Sequence, residues 1–115
     1  MNHITIIGRL TATPELKTTA NGTNVCSFTV AVERKFKGAD GNAVTDFIDC
    51  VAWRNTGEFV NKHFSKGRMI VVAGRLEIRK WQNKDGENRY SAEVVAENVY
   101  FGDSKNSGVA ENTAF

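Results

Sequence analysis

Four large aromatic residues have positions that suit them to bind a flat, anionic ligand. An aromatic ring stacks on other planar rings, and a neighbouring Lys or Arg attracts phosphate groups. The four residues are Phe36, Phe47, Trp53 and Trp81. Aromatic rings that share a surface with cations are typical of proteins that bind single strands without reading base sequence, because every base has a face that can stack.

Cations accompany these rings in two segments. Phe36 lies in the stretch Arg34-Lys35-Phe36-Lys37, and Trp81 directly follows Arg79 and Lys80. Such charges could instead form a solvated strand edge, and a Trp or Phe on a strand is more often part of a core or a subunit interface. The interleaving of rings and cations favours the binding interpretation.

Strand parity predicts which way the side chains point, because successive side chains of a strand alternate between its two faces. In segment 46–53 the inward row is expected to be Ile48, Cys50 and Ala52, and the outward row Phe47, Asp49, Val51 and Trp53. In segment 68–81 the inward row is expected to be Ile70, Val72, Leu76 and Ile78, and the outward row Arg75, Glu77, Arg79 and Trp81. Four other aromatics, Phe28, Phe59, Phe64 and Tyr90, are assigned to packing.

Alternating apolar residues predict five strands and one short helix. Turn signals at Asn21-Gly22 and Asp85-Gly86 separate strands, and Asn55 with Glu58 resembles a capping box for a helix that ends near Gly67. The predicted strands are 4–10, 26–32, 46–53, 68–81 and 90–101. Three strands, a helix and two strands make an all-β fold with one short helix, the OB-fold, a five-stranded Greek-key barrel. We expect a domain over 1–102 and a short disordered tail over 103–115.

The amino-acid composition indicates what kind of protein this is. The chain has 115 residues, 41% of them hydrophobic and 24% charged, with a net charge of +2. These values predict one globular domain and give only weak evidence for a polyanionic partner. Neither a signal peptide nor a spanning apolar run is visible, so we expect a cytoplasmic, nucleoid-associated protein without membrane contact. Cys26 and Cys50 are expected to be buried free thiols.

Enzyme motifs are absent from the sequence. It contains no phosphate-binding P-loop, nucleophile elbow or cysteine-histidine metal pattern. Asp46 and Asp49 are three residues apart on a strand and should face opposite sides, which argues against a two-acid metal site. We therefore expect a binding protein, not an enzyme, without a metal or cofactor. An OB-fold module that binds protein or single-stranded RNA, as an accessory subunit, is the alternative.

From Asn2 to about Phe101 the chain resembles the bacterial-type single-stranded-DNA-binding protein family, including its phage and plasmid members. The resemblance is carried by Ile-Ile-Gly-Arg-Leu at 6–10, Phe-Thr-Val-Ala at 28–31, Gly-Arg-Leu at 74–76, Arg-Lys-Trp at 79–81 and Glu-Val-Val-Ala at 93–96. It implies the same four stacking aromatics, and phosphate contacts at Lys37, Lys66, Arg79, Lys80 and Arg89. With Arg34 and Arg75, these cations complete the predicted binding site.

The resemblance also implies a homotetramer, a role in replication, recombination and repair, and no cofactor. Relatives usually end in a run of acids and a short apolar tip that recruits enzymes. Residues 103–115 hold only Asp103 and Glu111 against Lys105, and they end at Phe115. We therefore expect weak or no recruitment of replication and repair enzymes by this tail.

Overall fold

The computed structural model describes residues 1–103 and contains six strands and one helix in that range. The elements are β1 (Ile4–Leu10), β2 (Glu15–Thr18), β3 (Asn24–Glu33), β4 (Thr45–Trp53), α1 (Arg54–His63), β5 (Met69–Gln82) and β6 (Asn88–Phe101). The predicted all-β fold with one short helix is confirmed. The strand count differs, because β2, a short and fully exposed edge strand, pairs with β3. Four exposed residues carry too little apolar alternation to be recognised in the sequence.

The six strands form one sheet that curls back on itself. Their order is β1-β5-β6-β4-β3-β2, and β1 also pairs with β3 through Arg9 and Leu10. All pairs are antiparallel except β4 with β6. The curled sheet encloses an apolar core centred on Val30, Ile70 and Val72, all fully buried. This is the arrangement expected of the OB-fold.

Strands β5 and β6 extend beyond the barrel as a two-stranded ribbon. The ribbon begins past a register shift at Gly74, where a side chain would collide with the carbonyl oxygen of Val95. Leu76 and Ile78 were predicted to face the core, but both are exposed, Ile78 by 59%. Their parity matches that of Ile70, but no second layer of the barrel covers the ribbon.

Helix α1 follows β4 without a connecting loop. The predicted capping box is wrong: the N-cap is Trp53, no side chain caps the helix, and Asn55 lies inside it. The carboxylate of Glu58 accepts a hydrogen bond from Asn24 Nδ2 at 2.9 Å instead. Val60 is buried against the core, as its place on the apolar face predicts.

An aromatic cluster lies at the end of the helix. Phe64 is buried, and its ring stacks on Phe101 at 4.8 Å between centroids. Phe59 is partly exposed but contacts the rings of His63 and Phe101, so its assignment to packing is confirmed. Arg68 lies over Phe101, 5.0 Å from the ring centroid.

Both cysteines are buried free thiols, as predicted. Burial raises the pKa of Cys26 to about 11. Burial raises the pKa of Cys50 to about 12, with smaller contributions from the carboxylates of Asp49 and Glu93. Neither thiol is therefore a nucleophile at neutral pH. Separately, within residues 1–103 no helix is long and apolar enough to span a membrane.

Candidate nucleic-acid interface

All four predicted stacking residues expose large parts of their rings. The exposed fractions are 78% for Phe36, 67% for Phe47, 41% for Trp53 and 48% for Trp81. Burying a large aromatic ring stabilises a fold by several kcal/mol, so four rings left in solvent call for another explanation. None of the four belongs to the apolar core.

Strand β4 carries two of these rings in one row. Phe47 and Trp53 are six residues apart, which places them roughly 20 Å apart along an extended strand. Ala31 and Val25 of β3 are their direct partners in the antiparallel register. Small or medium-sized neighbours leave the faces of both rings accessible.

The register joins this row to the neighbouring strands. Val51 of β4 pairs with Val95 of β6, and Val95 pairs with Arg75 of β5, so these three side chains belong to one face of the sheet. Val51 was predicted to point outward. It does share the row of Trp53, but it is buried, since β3 and β6 flank β4 on both sides at this position.

Trp81 extends the same face along the ribbon. It lies in the row of Arg75 and Arg79, and its direct partner across the ribbon is Arg89. Two paired strands thus place an exposed aromatic ring with arginines beside it and opposite to it.

The other face of the ribbon carries Lys80, whose partner is Tyr90. Tyr90 was assigned to packing, and this is wrong: its side chain is 66% exposed. Lys80 therefore does not share a row with Trp81, although the two residues are adjacent in the sequence. The sequence could not show this exposure, because Tyr90 lies beyond the end of the barrel.

Phe36 lies in the connection between β3 and β4. The Arg34 amide donates to the carbonyl of Val44, which keeps the two sides of this connection paired beyond the strands. The Arg34 side chain donates two hydrogen bonds to the Asp46 carboxylate, at 2.9 and 3.0 Å. These bonds lower the pKa of Asp46. Lys37 lies in the same connection as Phe36 and Arg34.

The arginines of the predicted site are all tied to carboxylates. Arg34 binds Asp46, and the three arginines of the ribbon have their own partners. These pairs are Arg75 with Glu77 at 2.9 Å and Glu97 at 3.4 Å, Arg79 with Glu93 at 3.4 Å, and Arg89 with Glu87 at 3.0 Å. Apart from Glu93, whose side chain is 33% exposed, every member of these pairs is at least 44% exposed, and surface pairs of this kind contribute little to folding. Each arginine is thus available for exchange onto another anionic ligand.

The lysines of the predicted site differ from the arginines. Within residues 1–103, Lys37, Lys66 and Lys80 form no ion pair. Lys66 lies apart from the aromatic rows, in the turn between α1 and β5, where its amide donates to the Thr13 hydroxyl. Lys17 was not among the cations predicted from the sequence to belong to the site. It pairs with Val25, which pairs with Trp53, so Lys17 lies in line with that ring.

The described residues offer no site for a metal ion. Within 1–103 no group of three His, Cys, Asp or Glu side chains has the geometry to hold one. Asp49 accepts a hydrogen bond from the Thr29 hydroxyl at 3.0 Å, while Asp46 is held by Arg34. The two aspartates are therefore engaged separately.

Comparison with known proteins agrees with this geometry. The model of the single-strand binding protein family matches residues 1–102. The chain belongs to the single-strand binding protein family. The resemblance inferred from motifs is thereby confirmed, and with it the expectation of a binding protein, since members of this family are binding proteins.

Curated relatives within the single-strand binding protein family match most of the chain. The single-stranded DNA-binding protein of Staphylococcus aureus strain MRSA252 is 46% identical over 107 residues, which are 93% of this chain and 69% of that protein. Single-stranded DNA-binding protein 3 of Listeria innocua is 42% identical over 99% of this chain and 71% of its own length. The single-stranded DNA-binding protein of Bacillus cereus is 41% identical over the whole of this chain and 68% of its own length.

Proposed function

We propose that this protein binds single-stranded DNA without reading its sequence, and that residues 1–102 are the binding domain. One observation carries this conclusion: four aromatic rings are exposed on the outer rows of β4 and β5 and on the β3–β4 connection, among cations. Bases stack on Phe36, Phe47, Trp53 and Trp81, at about 1–3 kcal/mol per base. Stacking recognises the flat face common to all bases, which is why sequence has little influence.

The cations hold the phosphates of the bound strand. Lys37 contacts phosphates beside Phe36. Lys66, which lies apart from the aromatic rows, and Lys80, on the other face of the ribbon, contact phosphates where the strand continues beyond the rings. The four arginines exchange their carboxylate partners for phosphate. Those arginines are Arg34, Arg75, Arg79 and Arg89. Breaking these ion pairs costs little free energy because they are exposed to solvent. A backbone phosphate carries one negative charge on two non-bridging oxygens, as a carboxylate does, so it can accept both N–H bonds of a guanidinium fork.

A homotetramer is the proposed assembly. From Ile4 to Gly8, β1 pairs with β5 on one side, while its pairing with β3 is limited to Arg9 and Leu10. This edge can accept a strand from a second copy. The outer face beside it is apolar, since Ile7, Val71 and Tyr100 lie in register across β1, β5 and β6, with Ile7 and Tyr100 half exposed. Edge pairing and face packing together give a closed, symmetric assembly.

Coating of single strands serves replication, recombination and repair, at the nucleoid in the cytoplasm. The expected tail begins at residue 103, and residues 104–115 lie outside the described part of the chain. We propose that residues 103–115 by themselves recruit replication and repair enzymes weakly or not at all, because they contribute only two acids and one lysine.

Competition for one fluorescent oligo-dT tests the function. Unlabelled poly-dT, poly-rU and duplex DNA are added separately to the complex. We expect poly-dT to displace the probe at the lowest concentration and duplex DNA at the highest. Preferential displacement by poly-rU would favour the RNA-binding alternative, and failure to bind the probe would refute the proposal.

A further inference from the structure

We propose that Arg54 is an additional phosphate-binding residue, placed beside Trp53 by a left-handed backbone turn; this inference rests on the proposed function. Arg54 is the first residue of α1, follows Trp53 directly in the chain, and has an exposed side chain. The site predicted from the sequence does not include it.

The backbone of Arg54 is unusual. Its φ is 56°, and every other residue with a positive φ within residues 1–103 is a glycine. Those glycines are Gly22, Gly41, Gly67 and Gly86. A left-handed conformation is disfavoured for a residue with a Cβ atom, and non-glycine residues held in it cluster at binding sites.

Local packing explains the turn but not the arginine. The chain passes from β4 to α1 in one step, and the first helical turn lies against the strand: a Cβ at Gly57 would collide with the carbonyl oxygen of Ala52. The helix therefore cannot shift to relax the turn. Glycine at position 54 would adopt this conformation without a penalty. An arginine there disfavours folding, so its side chain must contribute something else.

The charge of Arg54 is available to a ligand. Within the described part of the chain its guanidinium has no hydrogen-bond partner and no ion pair, whereas the other arginines beside stacking rings are all bound to carboxylates. Glu58, one helical turn further along, is the nearest acid in the sequence. Its carboxylate is already engaged by Asn24.

The position of this charge suits a nucleotide held on Trp53. A base stacked on the indole places its phosphate at the edge of the ring, and Arg54 is the next residue along the chain. A guanidinium binds phosphate through two parallel N–H bonds, and here it need not first leave a carboxylate. Ring and cation thus act on one nucleotide.

Two substitutions and one control test the proposal in the full chain. Arg54→Gly removes the charge and keeps the turn, Arg54→Lys keeps the charge and the Cβ, and Lys62→Ala removes an exposed cation from the other end of α1. Binding of oligo-dT is titrated at several salt concentrations, and thermal unfolding is recorded for each protein. For Arg54→Gly we expect affinity to fall by about tenfold, the scale of one charged hydrogen bond. Its log–log salt slope should be smaller by about 0.7, the value for one phosphate.

The remaining readouts separate charge from backbone. Arg54→Gly should unfold at a higher temperature than the unmodified protein, because the strain is relieved, and Arg54→Lys should match the unmodified protein in both slope and unfolding temperature. An unchanged slope in Arg54→Gly, or an equal reduction in Lys62→Ala, would overturn the assignment of Arg54. If the unmodified protein fails to bind oligo-dT, the proposed function itself fails. If it binds normally and Arg54→Gly binds with the same affinity and the same salt slope, the function stands and this inference is refuted.

Discussion

Replacing Trp81 by alanine should weaken DNA binding and leave the fold intact. Trp81 is half exposed, lies on the ribbon beyond the barrel, and has no part in the apolar core. Its loss removes one stacking platform, worth about 1–3 kcal/mol, which corresponds to roughly a 5- to 150-fold lower affinity. The free energy of unfolding should change by less than about 0.5 kcal/mol, the scale of ordinary surface substitutions.

The assay is titration of a short oligo-dT into Trp81→Ala and into the unmodified protein, with anisotropy of a labelled oligonucleotide as readout. Trp81→Phe is the matched control, since it keeps a stacking ring and should recover most of the affinity. Phe28→Ala provides the opposite case. Phe28 is buried in the core, so its truncation should destabilise the protein by about 3–5 kcal/mol.

Two results would refute this reasoning. If Trp81→Ala lowers the unfolding temperature as much as Phe28→Ala does, Trp81 is a packing residue and the ribbon is not an independent platform. If Trp81→Ala binds oligo-dT as tightly as the unmodified protein, the strand does not pass over the ribbon. Unchanged intrinsic tryptophan fluorescence on binding would support that second conclusion.

Three further predictions concern charge, thiols and assembly. Asp46→Asn should raise the affinity for oligo-dT several-fold, as measured by titration. The substitution frees Arg34 from its carboxylate partner and removes a negative charge near the bound phosphates. A lower affinity would show that Asp46 is needed to position Arg34. Iodoacetamide at pH 8 should leave Cys26 and Cys50 unmodified in the folded protein, as measured by mass spectrometry. Burial raises the thiol pKa to about 11 for Cys26 and to about 12 for Cys50, so the reactive thiolate forms only at higher pH. Rapid alkylation would contradict their burial. Ile7→Arg should convert the assembly to smaller species in sedimentation, because it places a charge on the apolar outer face; an unchanged tetramer would locate the interface elsewhere.

Alternation in the sequence was enough to predict most of the barrel. The core positions Val30, Ile70 and Val72 follow from it, and so do the exposed rings of Phe47 and Trp53. These residues lie where a strand has one face in the barrel and one outside it. There, the alternation of apolar and polar residues corresponds to side chains that point alternately into the barrel and out of it.

The same rule failed where the surroundings of a strand change along its length. Leu76 and Ile78 continue the inward parity of Ile70 but lie beyond the barrel, so they are exposed, Leu76 by 37% and Ile78 by 59%. Val51 has outward parity but lies between two neighbouring strands and is buried. Neither change leaves a trace in the local pattern, because each depends on a strand that is distant in the sequence.

The ion pairs and the backbone turn at Arg54 could not be predicted from the sequence either. Arg79 is fourteen residues from Glu93 in the sequence, yet the antiparallel pairing of β5 with β6 brings the two side chains to 3.4 Å. The left-handed turn at Arg54 depends on the contact between α1 and β4, which a one-dimensional pattern does not contain.

The ion pairs explain how a protein of net charge +2 can bind a polyanion. Carboxylates hold the guanidiniums of Arg34, Arg75, Arg79 and Arg89 at the protein surface while no ligand is present. A phosphate that replaces one carboxylate gains a donor fork but leaves an acid nearby, so each electrostatic contact is moderate. The rings must then supply much of the binding energy. Because Phe47 and Trp53 are on β4, Trp81 is on the ribbon and Phe36 is on a connection, no single straight path along one strand contacts all four. A single strand that stacks on all four proposed residues therefore bends across the sheet, which a flexible chain of unpaired bases does more easily than a stiff duplex.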